Sequence, residues 1–124
     1  MLFRSRLLVV DDNADAAGSF ATLLRVLGND VRTAASGPEA LRIAKEYRPE
    51  IVLLDIGLPG MNGYEVARAL RRDLGDGKTV IVAVSGYGAS QDRQRSAEAG
   101  IDAHFVKPVE IQALQEFLAE RARG

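Results

Sequence analysis

Four apolar runs in this 124-residue chain end in a residue that could do chemistry: LLVV (7–10) before Asp11 and Asp12, IVLL (51–54) before Asp55, VIVAV (80–84) before Ser85, and HFV (104–106) before Lys107. A carboxylate at the end of a buried run is costly unless something compensates it. Three carboxylates brought together would raise one another's pKa unless a cation sat among them. Oxygen ligands alone, few in number and leaving room for water, suit Mg²⁺. Lys107 adds a mobile positive charge, and Ser85 a hydroxyl able to donate to an anion. A carboxylate is a competent nucleophile toward phosphorus, and phosphoryl transfer mainly needs alignment and charge neutralisation.

Each residue alone has an ordinary explanation. Asp12 or Asn13 could cap a helix over 14–27, Asp55 could be a turn residue, Ser85 before Gly86 turn chemistry, and Lys107 a solvated charge before Pro108. Their joint placement at successive run ends, with no acid or lysine inside a run, favours a shared site.

The elements that would position them follow from periodicity. A fifth short run, VRTA (31–34), joins the other four, and helical spacing follows the runs. Phe20, Leu23, Leu24 and Leu27 fall at i, i+3, i+4 and i+7, and Gly28 is a natural stop. Ser36 and Glu39 form an S-x-x-E capping box with Pro38 in the first turn, and Ala40, Ala44 and Tyr47 mark one face. Asn62 and Glu65 head a helix over 63–74 that turns Val66, Ala69 and Leu70 inward. Ile111, Leu114, Phe117 and Leu118 make a final amphipathic helix. The stretch 90–100, SQDRQRSAEAG, offers only Ala97 and Ala99 as apolar side chains, which predicts the least firmly held helix. Strand followed by helix, repeated, predicts a parallel sheet covered on both faces, with ligands at the carboxyl ends of its strands.

Composition narrows the classes. With 47% hydrophobic and 27% charged residues the chain is neither disordered nor collagen-like. Its length fits one domain over 1–124. The net charge is -1 and the arginines are scattered, which argues against nucleic acid as the main partner. Apolar runs are too short to cross a bilayer, and the start MLFRSRLLVVDD is too quickly acidic for a signal peptide. With no cysteines either, a cytoplasmic location without membrane contact is the expectation. The single His104 excludes zinc sites built from His and Cys, so any metal must be bound by oxygen.

Over nearly its full length the chain resembles the receiver domains of two-component response regulators. The matching pieces are LLVVDD (7–12), IVLLDIGLPGMNG (51–63), VAVSG (82–86) and AHFVKPV (103–109), and their spacing matches as well. The resemblance implies a flavodoxin-like, doubly wound α/β fold: a five-stranded parallel sheet of order 2-1-3-4-5 with five helices. It implies that Asp55 accepts a phosphoryl group from a histidine kinase or a histidine phosphotransfer domain. Asp11 and Asp12 correspond to the family's acidic pair, with Asp12 as direct Mg²⁺ ligand and Asp11 acting mostly through water. The backbone carbonyl of Gly57 would complete the metal site. Ser85 and Lys107 would hold the phosphoryl oxygens, His104 takes the switch position, and the Lys107-Pro108 bond resembles one that is cis in the family. Pro59 and Gly60 would shape the loop after the acceptor. The expected output is remodelling of the 86–118 face for a downstream protein. Ser85 stands where many members carry threonine, and His104 where tyrosine or phenylalanine is common. Gly57 and Tyr87 occupy positions that vary and tune dephosphorylation.

Rival readings make different demands. A flavodoxin-like cofactor binder needs a phosphate cradle after the first strand, whereas DDNADAAG is acidic. An aspartate-based phosphohydrolase would want a second acid two residues after Asp55, where Gly57 stands. A phosphate sink or shuttle is the alternative use of the same site. The end at EFLAERARG suggests either a stand-alone regulator or the receiver of a hybrid histidine kinase, and FVKPVE leans toward the latter.

Overall fold

The structure, a computed structural model, describes residues 5–75, 79–86 and 93–123. Five strands carry the apolar runs: β1 (Arg6–Val10), β2 (Asp30–Ala34), β3 (Ile51–Asp55), β4 (Val80–Ser85) and β5 (Ala103–Val106). They form one sheet in the order β2-β1-β3-β4-β5, and every pairing is parallel. The interior strands are buried on both sides, as continuous apolar runs require. Register then places the site. Val10 pairs with Leu54, so Asp11 and Asp55 come level at the carboxyl edge. Asp55 pairs with Val84 and Ser85 with Val106, so Ser85 and Lys107 stand one and two steps further along the same edge.

The helices are α1 (Ala14–Val26), α2 (Gly37–Tyr47), α3 (Gly63–Leu74), α4 (Arg93–Ala99) and α5 (Ile111–Arg123). Their starts are written locally. Ser36 accepts from the Glu39 amide at the head of α2, while the Glu39 carboxylate takes the amide of Ala35. Asn62 and Glu65 complete a reciprocal capping box on α3. Ala40, Ala44 and Tyr47 of α2, and Val66, Ala69 and Leu70 of α3, are buried as their spacing predicts. Two cores result. On one face α2 and α3 pack over Leu8, Val10, Val52, Leu54 and Ile81; on the other α1 and α5 pack over Leu7, Val9, Leu53 and Val82.

α1 departs from expectation. Its buried stripe is Ala17, Ala21 and Leu24, with Phe20 and Leu27 half-buried and Leu23 exposed. Small side chains set the line of closest approach to the sheet, and the larger Phe20 and Leu23 are displaced to its flank.

The helix over 93–99 is as poor in apolar burial as its sequence suggests. Ala99 and Ser96 are its buried side chains, Ala97 is exposed, and the Ser96 hydroxyl has no hydrogen-bond partner. Residues 90–92 of that expected helix lie outside the described residues. What anchors α4 is a network the sequence did not announce. The Arg71 guanidinium donates to the carbonyls of Gly100 (2.7 Å) and Thr79 (2.6 Å) and to the Asp102 carboxylate (2.6 Å). The same Asp102 oxygen accepts the Ile81 amide. Gly100, at φ 83°, lies so close that a Cβ would sit 2.9 Å from the Arg71 side chain. The guanidinium of Arg95 stacks 4.4 Å from the Tyr64 ring centre and adds a second tie to α3. Among the described residues no helix is long and apolar enough to cross a membrane.

Candidate functional site

Strand ends bring Asp11, Asp12, Asp55 and Lys107 together as the sequence suggests. One ligand oxygen from each of the three acids lies within 4.8 Å of the others. Asp11 and Asp55 are largely buried, with side chains 11% and 13% exposed, while Asp12 points into solvent. Each buried carboxylate is held at both oxygens. Asp55 Oδ1 accepts the Gly57 amide (2.9 Å) and Asp11 Oδ1 the Asn13 amide (3.0 Å). Their Oδ2 atoms share Lys107, whose Nζ donates to Asp11 at 3.1 Å and to Asp55 at 3.2 Å. Lysine therefore supplies the compensating cation between two of the three acids. Burial pulls the Lys107 pKa down, but the hydrogen bonds and negative charges of Asp11 and Asp55 outweigh it and leave the ammonium above its ordinary value.

Local structure explains why these side chains stay where they are. Asn13, not Asp12, caps α1, its side chain accepting the Ala16 amide. That frees Asp12 from a structural duty and leaves its carboxylate open to a cation. After Asp55 the chain must turn under the start of α3, and Gly63 makes this possible. A Cβ there would lie 2.7 Å from the Ile56 Cα and 2.9 Å from the Asp55 carbonyl oxygen. On the far side, the Lys107 amide bonds the Ser85 carbonyl at 2.7 Å and the Lys107-Pro108 peptide is cis. Sequence reasoning left two matters open, the choice between Asp12 and Asn13 as the cap of α1 and the role of Gly63. The final glycine of GMNG, directly after the capping asparagine, is the signal that could have revealed the second.

Ser85 and His104 stand apart from this cluster. The Ser85 hydroxyl is buried and has no hydrogen-bond partner, so it reaches neither Asp55 nor Lys107 in this state. His104 pairs in register with Ala83, on the sheet face shared by Ala83 and Ser85, and is half-buried. Gly57 enters through its amide, and it is exposed. Tyr87 lies outside the described residues.

An open apolar groove of about 590 Å³ leads to the cluster between α1 and the segment 107–111. Ala16, Ser19, Phe20 and Leu23 line it from α1, Pro108, Val109 and Ile111 from the opposite segment, and Asp11, Asp55 and Lys107 are also in its lining.

Comparison with known proteins agrees with this arrangement. The family model described as the response regulator receiver domain matches residues 7–119. The DNA-binding response regulator MtrA of Mycobacterium tuberculosis is 38% identical over 120 residues, covering 97% of this chain and 51% of MtrA. The transcriptional regulatory protein PrrA of the same organism is 40% identical over 109 residues, covering 88% of this chain and 46% of PrrA. The chain thus spans about half the length of these curated relatives. Among solved structures, the Vibrio cholerae chemotaxis protein CheY4 superposes with a TM-score of 0.86 at 28% identity, covering 95% of this chain and 98% of that one. The receiver domain of the sensor histidine kinase PA1611 from Pseudomonas aeruginosa, with magnesium coordinated in its active-site cleft, superposes with a TM-score of 0.85 at 28% identity, covering 98% and 100%. A family match across 7–119 and the likeness in fold lead to one conclusion: this chain belongs to the response regulator receiver domain family.

Proposed function

We propose that this chain is a single receiver domain over 1–124 and a phosphorylation-dependent switch in which Asp55 accepts a phosphoryl group from a phosphohistidine of a histidine kinase or a phosphotransfer protein. The observation that carries this reading is the shared Lys107 contact. One lysine bridges the proposed acceptor and Asp11, and Asp12 stands beside them with no structural duty. Asp12 adds to the lysine-bridged pair a carboxylate that is open to a cation.

The donor set fits a divalent cation of the Mg²⁺ type: three carboxylates with oxygens within 4.8 Å, one exposed enough to leave room for water. Asp11, Asp12, Asp55 and the Gly57 carbonyl would hold it. Once bound, it would neutralise charge on the phosphoryl oxygens. The chain's own residues do the rest. The end of β3 fixes Asp55, and the Gly57 amide orients its carboxylate. A carboxylate oxygen forms a bond to phosphorus as the phosphorus–nitrogen bond to the donor imidazole breaks. The ring nitrogen keeps the electron pair and takes a proton from solvent. Lys107 is positioned to follow the charge from carboxylate to phosphoryl oxygens. Ser85, buried and unpartnered at rest, gains an acceptor when the phosphoryl group arrives. Its movement opens space for the His104 ring, which rearranges the 86–118 face for a downstream protein.

The test is phosphorylation by radiolabelled acetyl phosphate with Mg²⁺. Wild-type protein should take up one label that is acid-labile, base-labile and removed by hydroxylamine, EDTA should prevent the uptake, and Asp55→Asn should take up none. Equal labelling of Asp55→Asn would reject the assignment.

A further inference from the structure

The loop that follows Asp55 is held from below by residues with no chemistry of their own. Two backbone bonds pin its base, from the Ile56 amide to the Val84 carbonyl (3.1 Å) and from the Gly63 amide to the Ile56 carbonyl (3.2 Å). Between them two apolar side chains reach the core. Leu58, directly after Gly57, is buried among the side chains under α2 and α3. Met61 packs against the same core and lies over Gly37, the first residue of α2. A Cβ at Gly37 would stand 2.9 Å from the Met61 Sδ, 3.1 Å from the Met61 Cβ and 2.8 Å from the Val66 Cγ2. Gly37 is not among the glycines with positive φ, so its backbone does not call for glycine. Helix propensity does not favour glycine either. What the position supplies is the space that Met61 occupies.

Both backbone groups of Gly57 belong to this loop. Its amide donates to Asp55 Oδ1 at 2.9 Å, and its carbonyl is the one the proposed metal site uses. The peptide joining Gly57 to Leu58 is planar, so a buried Leu58 on one side restricts how that carbonyl can turn. Met61 fixes the loop again three residues on. We infer that Met61, seated on Gly37, is a positioning residue for the Asp55 centre, and that Gly37 is glycine to provide the seat. The pair holds loop 56–62 against α2, which keeps the Gly57 amide on Asp55 and the Gly57 carbonyl available to a cation. The inference rests on the reading of the acidic cluster as a Mg²⁺ site.

The experiment measures Mg²⁺ affinity by amide-shift titration, and amide exchange of the metal-free protein, for wild type, Met61→Ala, Met61→Leu, Gly37→Ala and the Gly37→Ala/Met61→Ala pair. Ile81→Val, in the same core but near the start of β4, serves as the control for lost stability alone. Removing an outer support of a metal site weakens binding by about ten- to a hundredfold. Acting through the backbone, Met61→Ala and Gly37→Ala should each weaken Mg²⁺ binding by about tenfold, the lower end of that range. Met61→Leu should restore most of the loss, because a swap of similar volume refills the seat. The paired variant should lose no more than the worse single one, since both changes disturb one contact. Exchange at the Gly57 amide should quicken severalfold in both single variants, and Ile81→Val should leave affinity and exchange as in wild type. Wild-type affinity in Met61→Ala, an equal loss in Ile81→Val, or losses that multiply in the paired variant would overturn the inference. If wild type binds no Mg²⁺, the metal reading falls, and Gly57 exchange decides the positioning alone: faster in both single variants supports it, unchanged in either overturns it. Should Gly37→Ala not fold, Met61→Ala against Met61→Leu carries the same test.

Discussion

At the residue scale the resting site is a balance of charges. Lys107 offsets Asp11 and Asp55 together, while Asp12 is left to solvent. Removing either kind of group should therefore have opposite effects. Lys107→Met leaves two largely buried carboxylates facing each other and should cost about 1 kcal/mol, a figure kept small because the lysine is 38% exposed and screened. Its folded pKa is raised, so the stability it contributes is fully present below the unfolded value near ~10.4 and is lost as pH rises through the folded value. Urea unfolding of wild type and Lys107→Met should show a constant gap from neutral pH to about 10 that closes at higher pH; a gap that closes near neutrality would contradict the bridging role. Asp12→Ala, by contrast, removes repulsion and no cap, because Asn13 holds α1. It should abolish Mg²⁺ binding in calorimetry without lowering the metal-free melting temperature, and a clear fall would mean that Asp12 carries structure. The acids and the lysine were legible in the sequence as endpoints of apolar runs. The identity of the cap was not, since Asp12 and Asn13 are equally good cap residues and only backbone geometry chooses between them.

At the element scale, legibility followed how local the cause is. The starts of α2 and α3 are decided within four residues, by Ser36 and Asn62, and were readable. The buried face of α1 depends on how closely a helix approaches the sheet, so Ala17 and Ala21 outrank Phe20 and Leu23 for reasons that no periodicity contains. α4 shows both cases. Its poverty in apolar side chains was visible, but its attachment through Arg71 to Gly100 and Asp102 joins residues 29 and 31 positions apart. The buried, unpartnered Ser96 hydroxyl marks α4 as held below its possible stability. Ser96→Ala should stabilise the domain by about 1 kcal/mol in chemical unfolding, from a lost desolvation penalty and better helix propensity. A destabilisation of similar size would show that the hydroxyl is satisfied. On the proposed switch route, hydrogen exchange with and without beryllofluoride, a phosphoryl mimic, should change across 93–100 and around His104, with little change in 14–26. A response confined to 56–62 would contradict the route through Ser85 and His104.

At the scale of the whole molecule, parallel topology does the assembling. Helices return each strand in the same direction, so residues 11, 55, 85 and 107 reach one edge although up to 96 positions separate Asp11 from Lys107. The sheet order itself came from family resemblance, since alternating strands and helices are compatible with several orders. The central claim is that this edge exists to place a phosphoryl group on Asp55, and chemical mapping tests it most directly. Protein treated with acetyl phosphate and Mg²⁺ is reduced with borohydride, which converts an aspartyl phosphate to homoserine, then digested and sequenced by mass spectrometry. Homoserine should appear at position 55 and at no other aspartate. Homoserine at position 11 or 12 with Asp55 intact, or none at any position under conditions that label a known receiver, would contradict the account.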